Sequence, residues 1–250
     1  LKTVGDKITK EIKIPFINEN KNMYEAIKII TKKKLGVLIA QNKNKFTTGI
    51  ITDGNVRKLR QHNKDFQKEL IKNVMTRKPI TIDKNFDYAV NAIVNCQSKI
   101  ILCGVGKSGL IAAKIAATMS SVGCPAFSLS ANDCLHGDLG SITKKDILIL
   151  ISNSGKSEEI IPIIKFANRN KIKLIGIVSK KSSVLYKASD IKILLPEVKE
   201  SGLGIVPTSS TSIQLAAGDA LAIASLNKKK FSKYDFSRLH PGGNLGKQLK

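Results

Sequence analysis

The chain has 250 residues, of which 42% are hydrophobic and 24% charged, a composition typical of a folded globular protein rather than a disordered one. No apolar run reaches the roughly 18 residues that a membrane-spanning helix needs. The first residues also lack the apolar core of a secretory signal peptide, so the sequence predicts a cytoplasmic protein without a membrane partner.

The net charge of +23 raises the question of a nucleic-acid partner. Only five of the 42 basic residues are arginine, and the lysines are spread along the whole chain. Aromatic residues make up 5% of the chain and tryptophan is absent, so a surface for stacking bases is poorly supplied. We therefore expect no nucleic-acid partner, and small anions such as sugar phosphates suit this charge as well.

Residues 1–84 are predicted to form a small α+β unit. The segment "MYEAIKIITKKK" has apolar residues at helical spacing, and "LGVLIAQNKNKFTTGIIT" resembles two short strands around a polar turn. A second helix is predicted from "DGNVRKLRQ", with Asp53 or Asn55 as its cap. The last segment, "VMTRKPITID", is predicted to be extended.

Residues 85–250 alternate apolar strand candidates with longer helical segments. The strand candidates are "SKIILCG", "PAFSLS", "KDILILIS", "IKLIGIVS" and "DIKILLP". They are apolar throughout, which is typical of strands covered on both faces of a parallel sheet. Helices are predicted from residue 107 to about 122, over "KSEEIIPIIKFANRN" and over "TSSTSIQLAAGDALAIASLN". The pattern predicts an α/β sandwich with a parallel sheet.

The segment "GVGKSG", residues 104–109, joins the first of these strands to a helix. It matches the dinucleotide motif G-x-G-x-x-G, and Asp133 follows the second strand at a fitting distance. A triphosphate loop would need glycine where Ile101 stands, so that alternative is disfavoured. A tight strand-to-helix turn without a ligand stays open on this motif alone.

Two further helix starts carry hydroxyl groups, in "SNSGKSEE", residues 152–159, and in "PTSST", residues 207–211. Hydroxyls and unpaired backbone amides at helix starts favour anions. Two such starts beside a glycine turn at strand ends indicate a site for a phosphomonoester. A dinucleotide would not need these hydroxyl groups.

Together "GVGKSG", "HGDLG", "SNSGKSEE", "PTSST" and "RLHPGGNLGKQL" resemble, in order, the sugar isomerase (SIS) domain of bacterial arabinose-5-phosphate isomerases. The resemblance implies a three-layer sandwich over residues 85–250. It implies interconversion of D-arabinose 5-phosphate and D-ribulose 5-phosphate through an enediol, which feeds Kdo and lipopolysaccharide synthesis. It also implies a homo-oligomer, a tetramer, whose subunits share sites. We expect no metal or other cofactor, because such an isomerisation requires none in principle.

The resemblance assigns the following site residues. The catalytic candidates are Lys107, His136, Glu159, Glu200 and His240. The substrate-binding candidates are Gly106, Ser108, Ser152, Ser154, Ser157, Thr208, Ser209 and Ser210. Glu159 is preferred over Glu158 by family spacing alone, Glu197 is an alternative to Glu200, and the identity of the general base stays open.

The first unit resembles a different module. "GIITDGN", residues 49–55, is similar to the nucleotide-ligand signature of a CBS motif, which makes Thr52 and Asn55 candidate nucleotide-binding residues. "VMTRKP" resembles the start of an incomplete second CBS motif. The domain order is inverted relative to the family, and the final "HPGGNLGKQLK" is expected to lead into the initial "LKTVGDKI".

Two other functions compete with arabinose-5-phosphate isomerisation. SIS domains also serve as non-catalytic sugar-phosphate sensors, and other SIS isomerases act on other sugar phosphates. A sensor can lose Glu159 or His240 and keep its serine cluster. Because this chain has both kinds of residue, the sequence favours the enzyme.

Overall fold

A computed structural model describes residues 15–62, 65–77 and 85–242. The chain folds as two compact units, with the division between residues 81 and 82. The proposed junction of the final and initial segments lies mostly outside the described residues. In the described part of the chain, no helix is long and apolar enough to cross a bilayer.

The first unit is a four-stranded sheet with helices packed against it. Its strands are β1 (Phe16–Asn18), β2 (Val37–Gln41), β3 (Thr47–Thr52) and β4 (Thr76–Arg77), in that spatial order. Its helices are α1 (Met23–Lys33), α2 (Asp53–His62) and α3 (Ile71–Val74). The predicted helix "MYEAIKIITKKK" and the two predicted strands around a polar turn are confirmed, and these strands, β2 and β3, pair antiparallel.

The cap of α2 differs from the prediction. The hydroxyl of Thr52 accepts from the backbone N–H of Asn55 at 3.3 Å. In return, the side-chain oxygen of Asn55 accepts from the backbone N–H of Thr52 at 2.9 Å. Thr52 is the last residue of β3, so the strand itself supplies the capping hydroxyl, and Asn55 completes a reciprocal pair.

The second unit contains a five-stranded parallel sheet. Its strands are β5 (Ile100–Gly104), β6 (Ala126–Ser130), β7 (Ile147–Ile151), β8 (Lys173–Val178) and β9 (Ile191–Leu194). Their spatial order is β6-β5-β7-β8-β9. Every residue of β5 and β7 is buried, as the uninterrupted apolar segments predict.

Helices cover both faces of this sheet. One face packs against α4 (Asn85–Val94), α5 (Lys107–Ser121) and α9 (Ser209–Lys228). The other packs against α6 (Ala131–Cys134), α7 (Ile160–Arg169) and α8 (Val184–Ala188). The last described helix is α10 (Lys233–Leu239). The predicted three-layer α/β sandwich is therefore confirmed.

Helix α7 starts later than predicted. It begins at Ile160, whereas the sequence pattern placed the helix from Lys156 onward. The preceding residues form a loop in which Gly155 has a positive φ of 63°. The later start leaves residues 156–159 in the loop after β7 rather than in the helix.

The strand order creates a crevice at one edge of the sheet. From β5 the chain crosses to β6 on one side, and then returns to β7 on the other. Gly104 at the end of β5 pairs with Ile151 at the end of β7, so the loops after these strands are neighbours. In open α/β sheets, ligands bind at this switch in direction, outside the carboxyl ends of the strands.

Helices α5 and α9 approach closely at Gly218. A Cβ atom on this residue would lie 2.1 Å from Cδ1 and 2.4 Å from Cγ1 of Ile115, which is itself fully buried. We expect Gly218→Val to lower the free energy of unfolding by about 1–3 kcal/mol, because the overpacked interface must shift. Ala216→Val, at an exposed position of the same helix, is expected to cost less than about 1 kcal/mol.

Urea denaturation of both variants and of the wild type measures this difference. Equal stability of the two variants would show that Ile115 moves aside without cost and that the interface between α5 and α9 is loosely packed.

Candidate functional site

A cavity of about 320 Å³ lies at the carboxyl edge of the parallel sheet. Its walls come from the turn after β5, the loop after β7 and the start of α9. The lining residues are Val105, Lys107, Ser108, Asn153, Glu200, Ile205, Pro207, Ser210, Thr211 and Gln214. Four residues predicted from the sequence are among them: Lys107, Ser108, Glu200 and Ser210.

Glycines shape the turn after β5. A Cβ on Gly104 would lie 2.8–2.9 Å from backbone atoms of Ser108 and Ile151, so only glycine lets strand and helix approach this closely. Gly106 has φ 56° and ψ −124°, a backbone conformation open to glycine but strained for other residues. These glycines turn the chain so that α5 starts at the cavity.

The start of α5 presents positive charge to the cavity. Its N-cap is Gly106, which has no side chain to accept from the first-turn amides. The dipole of this 15-residue helix therefore favours an anion here. Lys107, the first helical residue, is exposed and adds a full charge, and none of the described acidic residues forms an ion pair with it.

The serines after β7 stabilise their own loop. The buried Ser152 accepts with its hydroxyl oxygen from the amide of Gly155 at 3.0 Å, and Ser154 accepts from Lys156 at 3.3 Å. Their hydroxyl protons remain available for donation. These serines and Ser157 are absent from the cavity wall, to which this loop contributes Asn153.

The side chain of Glu200, which precedes α9 in the chain, accepts hydrogen bonds at the start of that helix. One of its carboxylate oxygens accepts from the amide of Thr208 at 2.8 Å, from the Thr208 hydroxyl at 3.2 Å and from the amide of Ser210 at 3.2 Å. Hydrogen bonds, chiefly from the Ser210 hydroxyl and then from the Thr208 amide, lower the pKa of Glu200 to about 2. The carboxylate is therefore ionised throughout the physiological range.

This arrangement bears on the predicted anion site in "PTSST". The amides of Thr208 and Ser210, which the sequence offers to a phosphate, already donate to Glu200 in this structure. Ser209 is the half-buried first residue of α9 and does not line the cavity. Glu197, the alternative to Glu200, is largely exposed and pairs with Lys180 instead.

Gln214 is a cavity residue that the sequence analysis missed. It lies one helical turn after Ser210 and is 1% exposed, and its side-chain oxygen accepts from the Ser108 hydroxyl at 3.2 Å. The spacing of four residues places Ser210 and Gln214 on one face of α9, a signal that was present in the sequence. A glutamine within an otherwise apolar helical segment, four residues after a predicted site residue, is itself a candidate site residue.

Three predicted catalytic residues lie outside this cavity wall. His136 is exposed, in the loop between α6 and the 3-10 turn at Asp138–Ser141. Glu159 is the half-buried N-cap residue of α7, and its side chain makes no capping hydrogen bond. His240 follows α10. The structure thus brings Lys107 and Glu200 together at the cavity, but not these three residues.

The ring of His240 is held in one tautomer. Its Nδ1 lies 2.8 Å from the carbonyl oxygen of Phe236, which can only accept a hydrogen bond. The ring also stacks on that of Phe236, with centroids 3.9 Å apart. Nδ1 therefore carries the proton in the neutral ring, and Nε2 is the nitrogen that can accept one.

The candidate nucleotide-binding residues of the first unit bond to each other. Besides its reciprocal pair with Thr52, Asn55 donates from its side chain to the Thr76 hydroxyl at 3.2 Å and so links the start of α2 to β4. A nucleotide would have to compete with these bonds. Nucleotide binding by Thr52 and Asn55 stays a prediction.

Comparison with known proteins places the second unit in a family. The model of the SIS domain matches residues 93–224. Arabinose 5-phosphate isomerase KdsD of Yersinia pestis is 46% identical over 169 residues, which are 67% of this chain and 52% of that protein. The chain thus spans about half the length of the curated relatives it matches.

Two solved structures share the fold. E. coli CFT073 c3406, in complex with arabinose 5-phosphate, is 36% identical with a TM-score of 0.57, over 63% of this chain and 92% of that one. A Bacteroides fragilis protein, described as a phosphosugar isomerase involved in capsule formation, is 34% identical with a TM-score of 0.63, over 66% of this chain and 90% of that one. The family model, the sequence identity and the fold agree, and the chain belongs to the SIS domain family.

Proposed function

We propose that this chain is a cytoplasmic aldose–ketose isomerase that interconverts D-arabinose 5-phosphate and D-ribulose 5-phosphate and so feeds Kdo and lipopolysaccharide synthesis. The observation that carries the proposal is the cavity at the carboxyl edge of the sheet. There the start of α5, with Lys107 and Ser108 and no capping side chain, lies beside the ionised carboxylate of Glu200. The identity to a relative named arabinose 5-phosphate isomerase selects the substrate.

The start of α5 suits the phosphate of the substrate. Its unpaired amides, the helix dipole and the Lys107 ammonium all favour a dianion, and the Ser108 hydroxyl adds a donor. The start of α9 suits it less, because the Glu200 carboxylate is already hydrogen-bonded to its amides.

The reaction requires one proton to move between two carbons. A base removes the C2 proton of the open-chain aldose, the C–H electron pair forms the C1–C2 double bond, and the C1 oxygen takes up a proton to give an enediol. The C2 hydroxyl then loses its proton to become the ketone, and C1 receives a proton. These steps need an acid–base group and positive charge near the developing enediolate.

Among the glutamates, we assign the proton transfer to Glu159. A carboxylate with a pKa near 2 has little affinity for a proton, which makes Glu200 a poor general base. We assign to Glu200 the anchoring of the α9 start. The carboxylate of Glu159, by contrast, forms no capping hydrogen bond at the start of α7.

We assign ring opening to His240, through its Nε2. His136 is assigned to polarising the substrate carbonyl. Because His240 does not line the cavity of its own chain, its role fits a homo-oligomer in which subunits share sites. The proposed tetramer provides such neighbours.

A substrate panel tests the proposal. The purified chain is incubated separately with the 5-phosphates of arabinose and ribose and the 6-phosphates of glucose and fructose, and the ketose and aldose products are quantified. We expect ribulose 5-phosphate from arabinose 5-phosphate at the highest rate. Turnover of a hexose phosphate alone would indicate another isomerase, and tight binding without any product would indicate a sensor.

A further inference from the structure

Gln214 stands out among the buried polar groups. In the described part of the chain, only two buried side-chain polar atoms lack a hydrogen-bond partner, Nε2 of Gln214 and Oγ of Ser225. Both residues belong to α9, but only Gln214 lines the cavity. A buried amide N–H without a partner is costly, and an apolar side chain of the same size would avoid that cost.

The oxygen of the same Gln214 amide is hydrogen-bonded to Ser108. The serine hydroxyl donates to Oε1 of Gln214 at 3.2 Å, so its single proton is already engaged by the protein. Phosphate oxygens are acceptors, so Ser108 can serve a phosphate only if this proton turns into the cavity. The hydroxyl oxygen can then accept a hydrogen bond, and the unpaired Nε2 of the same amide is a donor within the cavity wall.

We propose that Gln214 is a positioning residue for anion binding. When a phosphate enters, the carboxamide of Gln214 turns over, so that Nε2 donates to Oγ of Ser108 and Ser108 donates its proton to a phosphate oxygen. Nε2, which has no partner among the described residues, thereby gains one, while Oε1 gives up the Ser108 proton. The inference rests on the proposed function for the identity of the sugar, but not for the binding of phosphate.

The experiment measures the affinity of the intact protein for inorganic phosphate by calorimetry. We expect Gln214→Met to weaken phosphate binding by about 10-fold, the usual effect of a lost supporting hydrogen bond. Gln214→Asn keeps the amide but shortens it by one methylene, and is expected to lose as much. With arabinose 5-phosphate, KM should rise by a similar factor while kcat stays within about 3-fold.

A double-mutant cycle with Ser108→Ala distinguishes positioning from packing. Because Gln214 acts through Ser108, Gln214→Met is expected to cost no further phosphate affinity once the serine hydroxyl is gone. Ser225→Ala, which removes the other unpartnered atom on the same helix, is the matched control and should leave the affinity unchanged.

Two results would overturn the inference. One is wild-type phosphate affinity in Gln214→Met or, if that variant does not fold, in Gln214→Asn. The other is an additive loss in the double variant, which would make the effect independent of Ser108. Failure of the proposed function looks different, because phosphate binding and its dependence on Gln214 would persist in a protein that does not isomerise arabinose 5-phosphate.

Discussion

Glu159→Gln is expected to slow the isomerisation of arabinose 5-phosphate by at least about 10²-fold, and His240→Asn by a similar factor. Glutamine keeps the shape and polarity of the glutamate but cannot take the C2 proton. Asparagine can replace one hydrogen bond of the histidine but cannot exchange a proton at Nε2. Steady-state rates and KM values of both variants measure the effect.

Glu158 provides the matched control for Glu159. It is the exposed neighbour in the same loop, and it serves the dipole of α7 equally well. Glu158→Gln is expected to keep nearly full activity. Unchanged turnover in both Glu159→Gln and His240→Asn would remove these residues from the mechanism. Equal losses of activity in Glu158→Gln and Glu159→Gln would show that Glu159 only stabilises the start of α7.

Glu200→Ala is expected to lower kcat/KM by about 10²-fold for a different reason. Without the carboxylate, the amides of Thr208 and Ser210 lose their acceptor and the start of α9 moves away from the cavity. Misplacement of a binding group by about 1 Å can cost this much. Glu200→Gln keeps one acceptor oxygen and should lose less. Equal activity of Glu200→Ala and the wild type would show that the α9 start needs no anchor.

The low pKa of Glu200 gives this anchor a pH signature. A carboxyl whose pKa falls from 4.5 to about 2 on folding stabilises the folded state fully above its ordinary pKa. That contribution is lost as the pH falls toward 2. The difference in Tm between the wild type and Glu200→Gln should therefore be constant from about pH 8 to about pH 5 and shrink below. A difference that is already shrinking near pH 6 would contradict the assigned pKa.

The architecture of the second unit was predictable because burial leaves a direct mark on sequence. Strands β5 and β7 are covered on both faces, so they are apolar at every position. The glycine turn at residues 104–109 likewise reflects a local backbone requirement, seen in the positive φ of Gly106. Short helices such as α8 and α10 carry too few turns to show a period, and the prediction omitted them.

The cavity was harder to predict because its key contacts join residues far apart in the chain. Ser108 and Gln214 are 106 residues apart, and nothing in either local segment announces their hydrogen bond. Similarly, the hydroxyl-rich start of α9 indicates an anion, and the structure supplies one from the chain itself, in Glu200. The local sequence identifies a helix start that favours negative charge, but only the fold shows that Glu200 supplies this charge.

The most direct test of the enzyme assignment is proton NMR of arabinose 5-phosphate incubated with the protein in D₂O. Isomerisation through an enediol breaks the C2–H bond and returns a hydrogen to C1 by way of an exchangeable group. We predict loss of the C2 proton signal together with the appearance of ribulose 5-phosphate that carries solvent deuterium at C1. A substrate that binds to the protein but keeps its C2 proton and yields no ketose would contradict the account.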